Sequence, residues 1–454
     1  MNKNTILYGG ATGLAQIFSF VALFAYTSEL KPDVYATIAI FETMVLLLQS
    51  CISGAIDRSS QRFYLDKDPN KVISTSATIA LVISISLFPV IMLLSYYLEV
   101  IGEVEMSILY FVATSYVLQT IVLVKYQFSE KPICYFLVSV TKSLSFLLSS
   151  AFFLYTLNMQ EGAFLRSSLV SAFLLFSISL WITKPNLTTL RDTSFVRDML
   201  RYSLPFVPTL LASWIITWSS RFFMVGSIEA NEIGVFSAAQ KVAMAFFIFT
   251  QAITLVATPI LFRKLKDGYK DDAINTMLVN VKFLIVVSLS LTFFLPDILN
   301  LFMGEEYSDI QKYITLLMFV NFISAVLGVS SSIVFNFYKQ TALQMKIFIF
   351  ISIISVSLNA VLISKYQMVG LIISMIIPTV LLFFMHFYFL DKKIKFTGFS
   401  LKVIKLCVFY TLVLLIDFYL GVIDLNMTVM VACELFVLFL ALFMAVRSWR
   451  ESVC

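Results

Sequence analysis

The sequence predicts an all-α polytopic membrane protein, and three observations carry that prediction. Hydrophobic residues make up 60% of the 454 residues and charged ones only 13%, a balance foreign to soluble globular domains. Apolar runs of about 20 residues, each enough for one helical crossing, follow one another along nearly the whole chain, divided by short charged or Gly/Pro-bearing connections. The alternation of apolar and polar residues over roughly ten positions that marks a transmembrane β-barrel is absent.

The runs fall at about 6–28, 36–56, 73–97, 106–124, 133–157, 163–183, 204–226, 234–258, 280–302, 313–337, 344–364, 369–390, 402–422 and 427–446, or about 14 transmembrane helices. Their orientation follows from the connections, since Lys and Arg concentrate on the cytoplasmic side. On the side of the N-terminus lie Arg58, Arg62, Lys67 and Lys71, then Lys184, Arg191, Arg197 and Arg201, then Arg263, Lys264, Lys266 and Lys270, and later Arg447 and Arg450. The opposite side holds Lys31, Lys312 and Lys365 among loops carrying Glu103, Glu105, Glu229, Glu232, Glu305 and Glu306. An even number of spans puts both termini in the cytoplasm. The first run lacks a small-residue cleavage site behind it and reads as a retained span rather than a signal peptide. The net charge of +5 sits in the connections facing one membrane surface, which points to membrane lipid and not to nucleic acid. Five scattered cysteines suggest neither a disulfide framework nor a metal site.

The longest connection, 184–203, reads as an amphipathic linker on the cytoplasmic leaflet. Ser194 is the expected helix cap, with Phe195, Met199 and Tyr202 on one side and Arg197 and Arg201 on another. A weak repeat at an offset of about 200 residues joins the two sides of this linker. Asp33-Val34-Tyr35-Ala36 aligns with Gly234-Val235-Phe236-Ser237, and Arg62-Phe63 roughly mirrors Phe262-Arg263. An offset of an even number of spans makes the repeat parallel, an arrangement that in transporters places substrate between two lobes. The expected organisation is an N-terminal six-helix lobe at 1–183, the linker at 184–203, a second six-helix lobe at 204–390 and two appended C-terminal helices at 391–454.

A basic residue inside hydrocarbon costs about 2.5–3.5 kcal/mol on insertion scales, so each one is a functional-site candidate. Lys142, Arg166, Arg221 and Lys241 are these candidates, whereas Lys282 and Lys405 lie near cytoplasmic ends and are expected to snorkel. Lys241 lies roughly 10 Å along its helix past Gly234, and Lys142 roughly 13 Å past Ile133. Both are expected to face an interior aqueous cavity. Arg166 and Arg221 sit about a turn inside the opposite ends, where snorkelling and a site role both fit. Glu42 is the informative acid, because the repeat offset places it opposite Lys241, and the two are expected to pair in one state and part in another. Asp297, Asp417 and Glu434 read as structural partners, and His386 as an interfacial residue. Trp214 and Trp218, at i and i+4, offer a ring face for sugars, with helix packing as the plainer role. Pro89, Pro296 and Pro378 lie inside runs and permit kinks.

Four cations against one acid make a cavity suited to an anionic substrate, because a low-dielectric wall strengthens attraction to phosphate or carboxylate. The chain has no G-x-x-x-x-G-K-[ST] phosphate loop, a single histidine and no large extramembrane segment. Transport therefore outranks catalysis, with no catalytic residue, metal or cofactor assigned.

The stretch from Leu200 to Lys241 resembles the middle segment of the polysaccharide repeat-unit flippases, or O-antigen translocases, of the multidrug/oligosaccharidyl-lipid/polysaccharide superfamily. The resemblance rests on Leu200-Arg201-Tyr202-Ser203-Leu204-Pro205-Phe206-Val207-Pro208, on Ser220-Arg221-Phe222-Phe223 and on Gly234-Val235-Phe236-Ser237-Ala238-Ala239. Val34-Tyr35, Arg62-Phe63-Tyr64 and Leu358-Asn359 followed by Val369-Gly370 add to it, and Ala36 departs from the glycine common there in the family. The resemblance implies export of an undecaprenyl-diphosphate-linked oligosaccharide from the cytoplasmic to the periplasmic leaflet of a bacterial inner membrane, by alternating access. It implies that cations such as Lys142, Arg166, Arg221 and Lys241 line the lumen and that coupling to H⁺ or Na⁺ would run through Glu42. It also implies a polysaccharide polymerase and a chain-length regulator as partners. A lipid II flippase or a cation-coupled drug exporter is the related alternative, the latter needing an acidic cavity. A membrane polymerase or ligase would carry a large periplasmic loop that this sequence lacks.

Overall fold

The computed structural model describes residues 3–98, 101–338, 340–394 and 399–422, and all regular structure among them is helical. The chain forms two compact units, Met1–Val225 with Glu229–Gly234, and Gly226–Ile228 with Val235 onward. The first contains α1 (Lys3–Glu29), α2 (Pro32–Ser53), α3 (Ile56–Phe63), α4 (Pro69–Leu98), α5 (Glu103–Phe128), α6 (Pro132–Ala151), α7 (Glu161–Thr183), α8 (Thr193–Ser203), α9 (Val207–Trp218) and α10 (Ser220–Met224). Next come α11 (Ala230–Ala243), α12 (Phe246–Lys266), α13 (Lys270–Phe302), α14 (Gln311–Val326), α15 (Ser332–Phe337), α16 (Thr341–Leu358), α17 (Ser364–Ile394) and α18 (Phe399–Val422).

Helix occupies each expected apolar run from 6–28 to 402–422. Ten helical segments among the described residues are long and apolar enough to cross a membrane by length and composition. One of them, Ala342–Lys392, has 51 residues, about 77 Å of helix and the length of two crossings. The expected run at 427–446 and Glu434 lie outside the described residues, as do the side chains of Asp297 and Asp417. Among the described residues, three expected runs hold two α-helices each. The run at 204–226 divides at Ser219 into α9 and α10, that at 234–258 divides at Met244 and Ala245 into α11 and α12, and that at 313–337 divides at Leu327–Ser331 into α14 and α15.

Local chemistry sets the ends of the first unit's helices. Proline opens α2, α4 and α6, where its missing N–H would have had no helical partner and its fixed φ suits the first turn. Gly54 and Ala55 both adopt left-handed backbone, with φ of 50° and 56°, and turn the chain out of α2 into α3. An alanine there costs about 1–2 kcal/mol, offset by the complete burial of the next residue, Ile56. Gly234, in α11, meets the Pro32 carbonyl where a β-carbon would stand, so only glycine lets these two helix starts approach so closely.

The linker departs from expectation in two ways. The cap of α8 is Asp192, whose Oδ1 accepts from the Phe195 amide at 3.2 Å, while the Ser194 hydroxyl donates to the same oxygen at 2.7 Å. A carboxylate at this position accepts both donors on one oxygen and leaves its second oxygen for Lys71, which a serine could not. The apolar side of α8 is also not left for lipid. Phe195 and Met199 are buried in a cluster with Ile56, Val72 and Ile79, and Tyr202 stacks edge-on to Phe63 at 6.1 Å. Lys71 fixes the other side, with its Nζ 2.7 Å from Asp192 Oδ2.

In the second unit, α11 packs on α14 through Phe236 against Tyr313, edge to face at 5.6 Å. Tyr410 of α18 lies 4.0 Å from Phe322 of α14 by ring centroids and hydrogen-bonds Ser288 of α13 at 2.6 Å. His386 is not interfacial. It is 1% exposed, lies edge-on to Phe335 and Phe348, and its Nδ1–H donates to the Leu382 carbonyl at 2.9 Å. The run carrying it is apolar nearly throughout, so its helix buries the ring among aromatic neighbours. Pro89, Pro296 and Pro378 lie within α4, α13 and α17.

Candidate functional site

The first unit gathers charges from three of its spans. Glu42 and Thr43 are consecutive on α2, and the 100° step between helix neighbours turns Thr43 fully inward and leaves Glu42 half-buried. Arg221, on the short α10, is 3% exposed, which rules out the snorkelling reading. Its Nη1 donates to the Ala39 carbonyl and to Thr43 Oγ1, each at 2.8 Å, and the Thr43 hydroxyl donates to the same carbonyl at 2.8 Å. The guanidinium carbon stands 4.9 Å from the Trp218 ring centroid. One arginine thus ties α10 to the backbone of α2.

Lys142, half-buried on α6, points its Nζ at the face of Tyr116 on α5, 3.5 Å from the ring centroid. The Glu42 carboxylate lies within electrostatic reach of Lys142 and Arg221 and also of Tyr116 and Tyr26. Two cations of this unit therefore lie within reach of one carboxylate. Removing such charges from water is costly unless partners compensate, and here ring faces, a carbonyl and a hydroxyl supply the compensation.

Hydroxyl groups line the adjoining helices. Tyr26 Oη donates to Ser150 Oγ at 2.9 Å, Ser145 Oγ to Ser171 Oγ at 3.1 Å, and Ser171 Oγ to the Lys142 carbonyl at 3.0 Å. Tyr26, Phe146 and Phe164 pack beside them at ring separations of 5.7–6.2 Å.

The other two expected site residues are Arg166 and Lys241. Arg166 is exposed near the start of α7 and donates to the Gly162 carbonyl at 3.3 Å, the posture of a snorkelling arginine. Lys241 is half-buried on α11, in the second unit. Of the tryptophans, Trp214 is buried against Phe222 at 5.9 Å and Trp218 lies under Arg221; both serve packing in this conformation. Thr43 and Tyr116 escaped the sequence reading. Tyr116 carried a usable signal, since it and Lys142 are equally distant in sequence from Ser129, in the tight turn joining α5 to α6. Antiparallel neighbours equidistant from their turn share one depth.

Residues 1–265 match the family described as "Polysaccharide biosynthesis protein". No curated protein matches the chain. Among solved structures it is similar to the lipid II flippase MurJ in an inward closed conformation, with 15% identity and a TM-score of 0.66 over 98% of this chain and 99% of that one. It is also similar to an outward-facing multidrug resistance MATE family transporter of the MOP superfamily, with 16% identity and a TM-score of 0.59 over 88% and 96% of the two chains. A third is a MOP superfamily transporter from Pyrococcus furiosus, whose reversed binding-pocket polarity was taken to suggest a different function, with 15% identity and a TM-score of 0.55 over 88% and 96%. At these identities the likeness carries the fold, that of the MOP-superfamily transporters.

Proposed function

This chain belongs to the polysaccharide biosynthesis protein family, and from that premise we propose that it is a flippase for an undecaprenyl-diphosphate-linked oligosaccharide, an O-antigen or similar repeat unit. It acts in a bacterial inner membrane as about 14 spans, two six-helix lobes and an appended pair, with both termini cytoplasmic. The carrying observation is the cluster of Glu42 with Lys142 and Arg221, two cations for one acid inside a membrane unit. Such a balance favours an anionic head group and disfavours the cationic drugs of a multidrug exporter.

Lys142 and Lys241 are the contacts to diphosphate or acidic sugar. Arg221 adds its charge from a buried position, where low dielectric lets it act at a distance, and Arg166 adds its own near the start of α7. With no substrate, Glu42 holds Lys142 in place. An arriving diphosphate competes for Lys142, and H⁺ or Na⁺ at Glu42 releases it, so Glu42 serves gating and coupling. The lipid tail stays in the bilayer while the head group crosses by alternating access, toward a polymerase and chain-length regulator outside. The test is surface polysaccharide in a strain relying on this protein. Lys142→Ala and Lys241→Ala are expected to leave inserted protein, abolish surface polymer and accumulate lipid-linked repeat units inside. Normal polymer in both variants rejects the reading.

One observation favours a second reading, lipid II export: the similarity to MurJ runs over 98% of the chain. Rescue of cells depleted of their own lipid II flippase, without any effect on accessory polysaccharide, would select it.

A further inference from the structure

The helix bearing Lys241 is broken at Met244 and Ala245, in a place where its own sequence gives no cause. Between Gly234 and Pro259 there is neither glycine nor proline, and Val242-Ala243-Met244-Ala245-Phe246 contains good helix formers. The backbone nevertheless tightens. Ala245 N–H bonds to the Val242 carbonyl at 2.9 Å, Phe247 N–H to Met244 at 2.9 Å and Ile248 N–H to Ala245 at 3.1 Å, each spanning three residues instead of four. Sharp breaks without proline or glycine arise where a side chain enters the hydrogen-bond ladder. Asn321, in the second half of α14, is that side chain. Its Nδ2 donates to the Ala243 carbonyl at 3.0 Å, the acceptor that Phe247 N–H would have used in an unbroken helix.

A three-residue turn advances about 120° per residue against 100° in an α-helix, so three such steps rotate the downstream helix by about 60°. The break thus sets the phase of α12 against the turn that carries Lys241. Broken helices are also where transporters build their binding sites.

We propose that Asn321 is a positioning residue for Lys241: by occupying the Ala243 carbonyl it keeps α11 and α12 apart and fixes the direction in which Lys241 presents its ammonium. The proposal rests on the reading that Lys241 serves the substrate. Phe236 against Tyr313 also joins α11 to α14, about two turns before Ala243, so α14 grips α11 on both sides of Lys241.

The test uses the full chain in lipid with Asn321→Leu, which keeps the volume without a donor, and Asn321→His, whose Nδ1–H takes the place of the amide. Amide hydrogen exchange over residues 245–248 is read beside export of lipid-linked oligosaccharide in cells. Asn321→Leu is expected to let Phe247 N–H return to Ala243, slow exchange in that segment and cut export at least tenfold at normal protein level; Asn321→His retains both properties. If Asn321→Leu fails to insert, Asn321→Ala gives the same reading. In a Lys241→Gln background with residual export, adding Asn321→Leu is expected to cost nothing further. Unchanged exchange in Asn321→Leu overturns the proposal, as does a full additional loss in the double variant, which marks a merely structural role. Normal export by Lys241→Ala with altered exchange in Asn321→Leu would instead remove the substrate role of Lys241 and leave the helix break explained.

Discussion

Lys142 has two partners of different kinds, the Tyr116 ring face at 3.5 Å and the Glu42 carboxylate within electrostatic reach. A desolvated cation over an aromatic face gains about 2 kcal/mol, comparable to the insertion cost of the lysine itself. The ring, not the hydroxyl, supplies this attraction. Tyr116→Phe is therefore expected to export normally, whereas Tyr116→Leu should lower export severalfold and depress the thermal midpoint of the purified protein. Equal losses in both variants would assign the effect to the hydroxyl. Arg221 is bound differently, by hydrogen bonds to Ala39 and Thr43. Sequence depth marked both residues as candidates, because an intramembrane cation is legible from one sequence. Depth did not show that Arg221 is buried and Arg166 exposed, since each lies about a turn from a span end and the neighbouring helices decide which of them reaches water.

At the scale of elements, α8 is held by its buried face and by Asp192, whose carboxyl lies well below the usual carboxylate range. The Lys71 ammonium is the first cause, followed by the Ser194 hydroxyl and the Phe195 amide. A depressed acid stabilises its folded surroundings fully above the unfolded value of about 3.9 and loses that contribution as pH falls through the folded value. Docking of α8 is thus expected to be flat from neutral pH down to about 4 and to loosen in stronger acid. Hydrogen exchange of residues 193–203 measures it. Asp192→Asn should raise exchange at neutral pH and remove the acid-dependent step; an unchanged step would assign it to another group. The amphipathic pattern of Phe195 and Met199 was readable in the sequence. Their destination was not, because lipid and a protein surface of Ile56, Val72 and Ile79 satisfy the same apolar stripe. The break between α11 and α12 was equally hidden, since Asn321 lies in another helix and local propensity argues for continuity.

At the scale of the whole molecule, the offset of about 200 residues expected from the sequence relates Glu42 to Lys241, and the two belong to different compact units. If their charges alternate between pairing and separation during transport, Glu42→Lys and Lys241→Glu should each block export, and the double exchange should restore a measurable fraction, read as surface polymer. No recovery in the double variant counts against the pairing. Because Glu42 also faces Lys142 and Arg221 within its own unit, recovery is expected to be partial. By itself the sequence determined the all-helical membrane class, the positions of the apolar runs and the candidate cations, since hydrocarbon imposes those demands on each segment separately. The tertiary structure decided which cations share an acid, where α8 spends its apolar face and where the Lys241 helix breaks. Those outcomes depend on hydrogen bonds, ring faces and burial supplied by residues distant in the chain, which no single segment specifies.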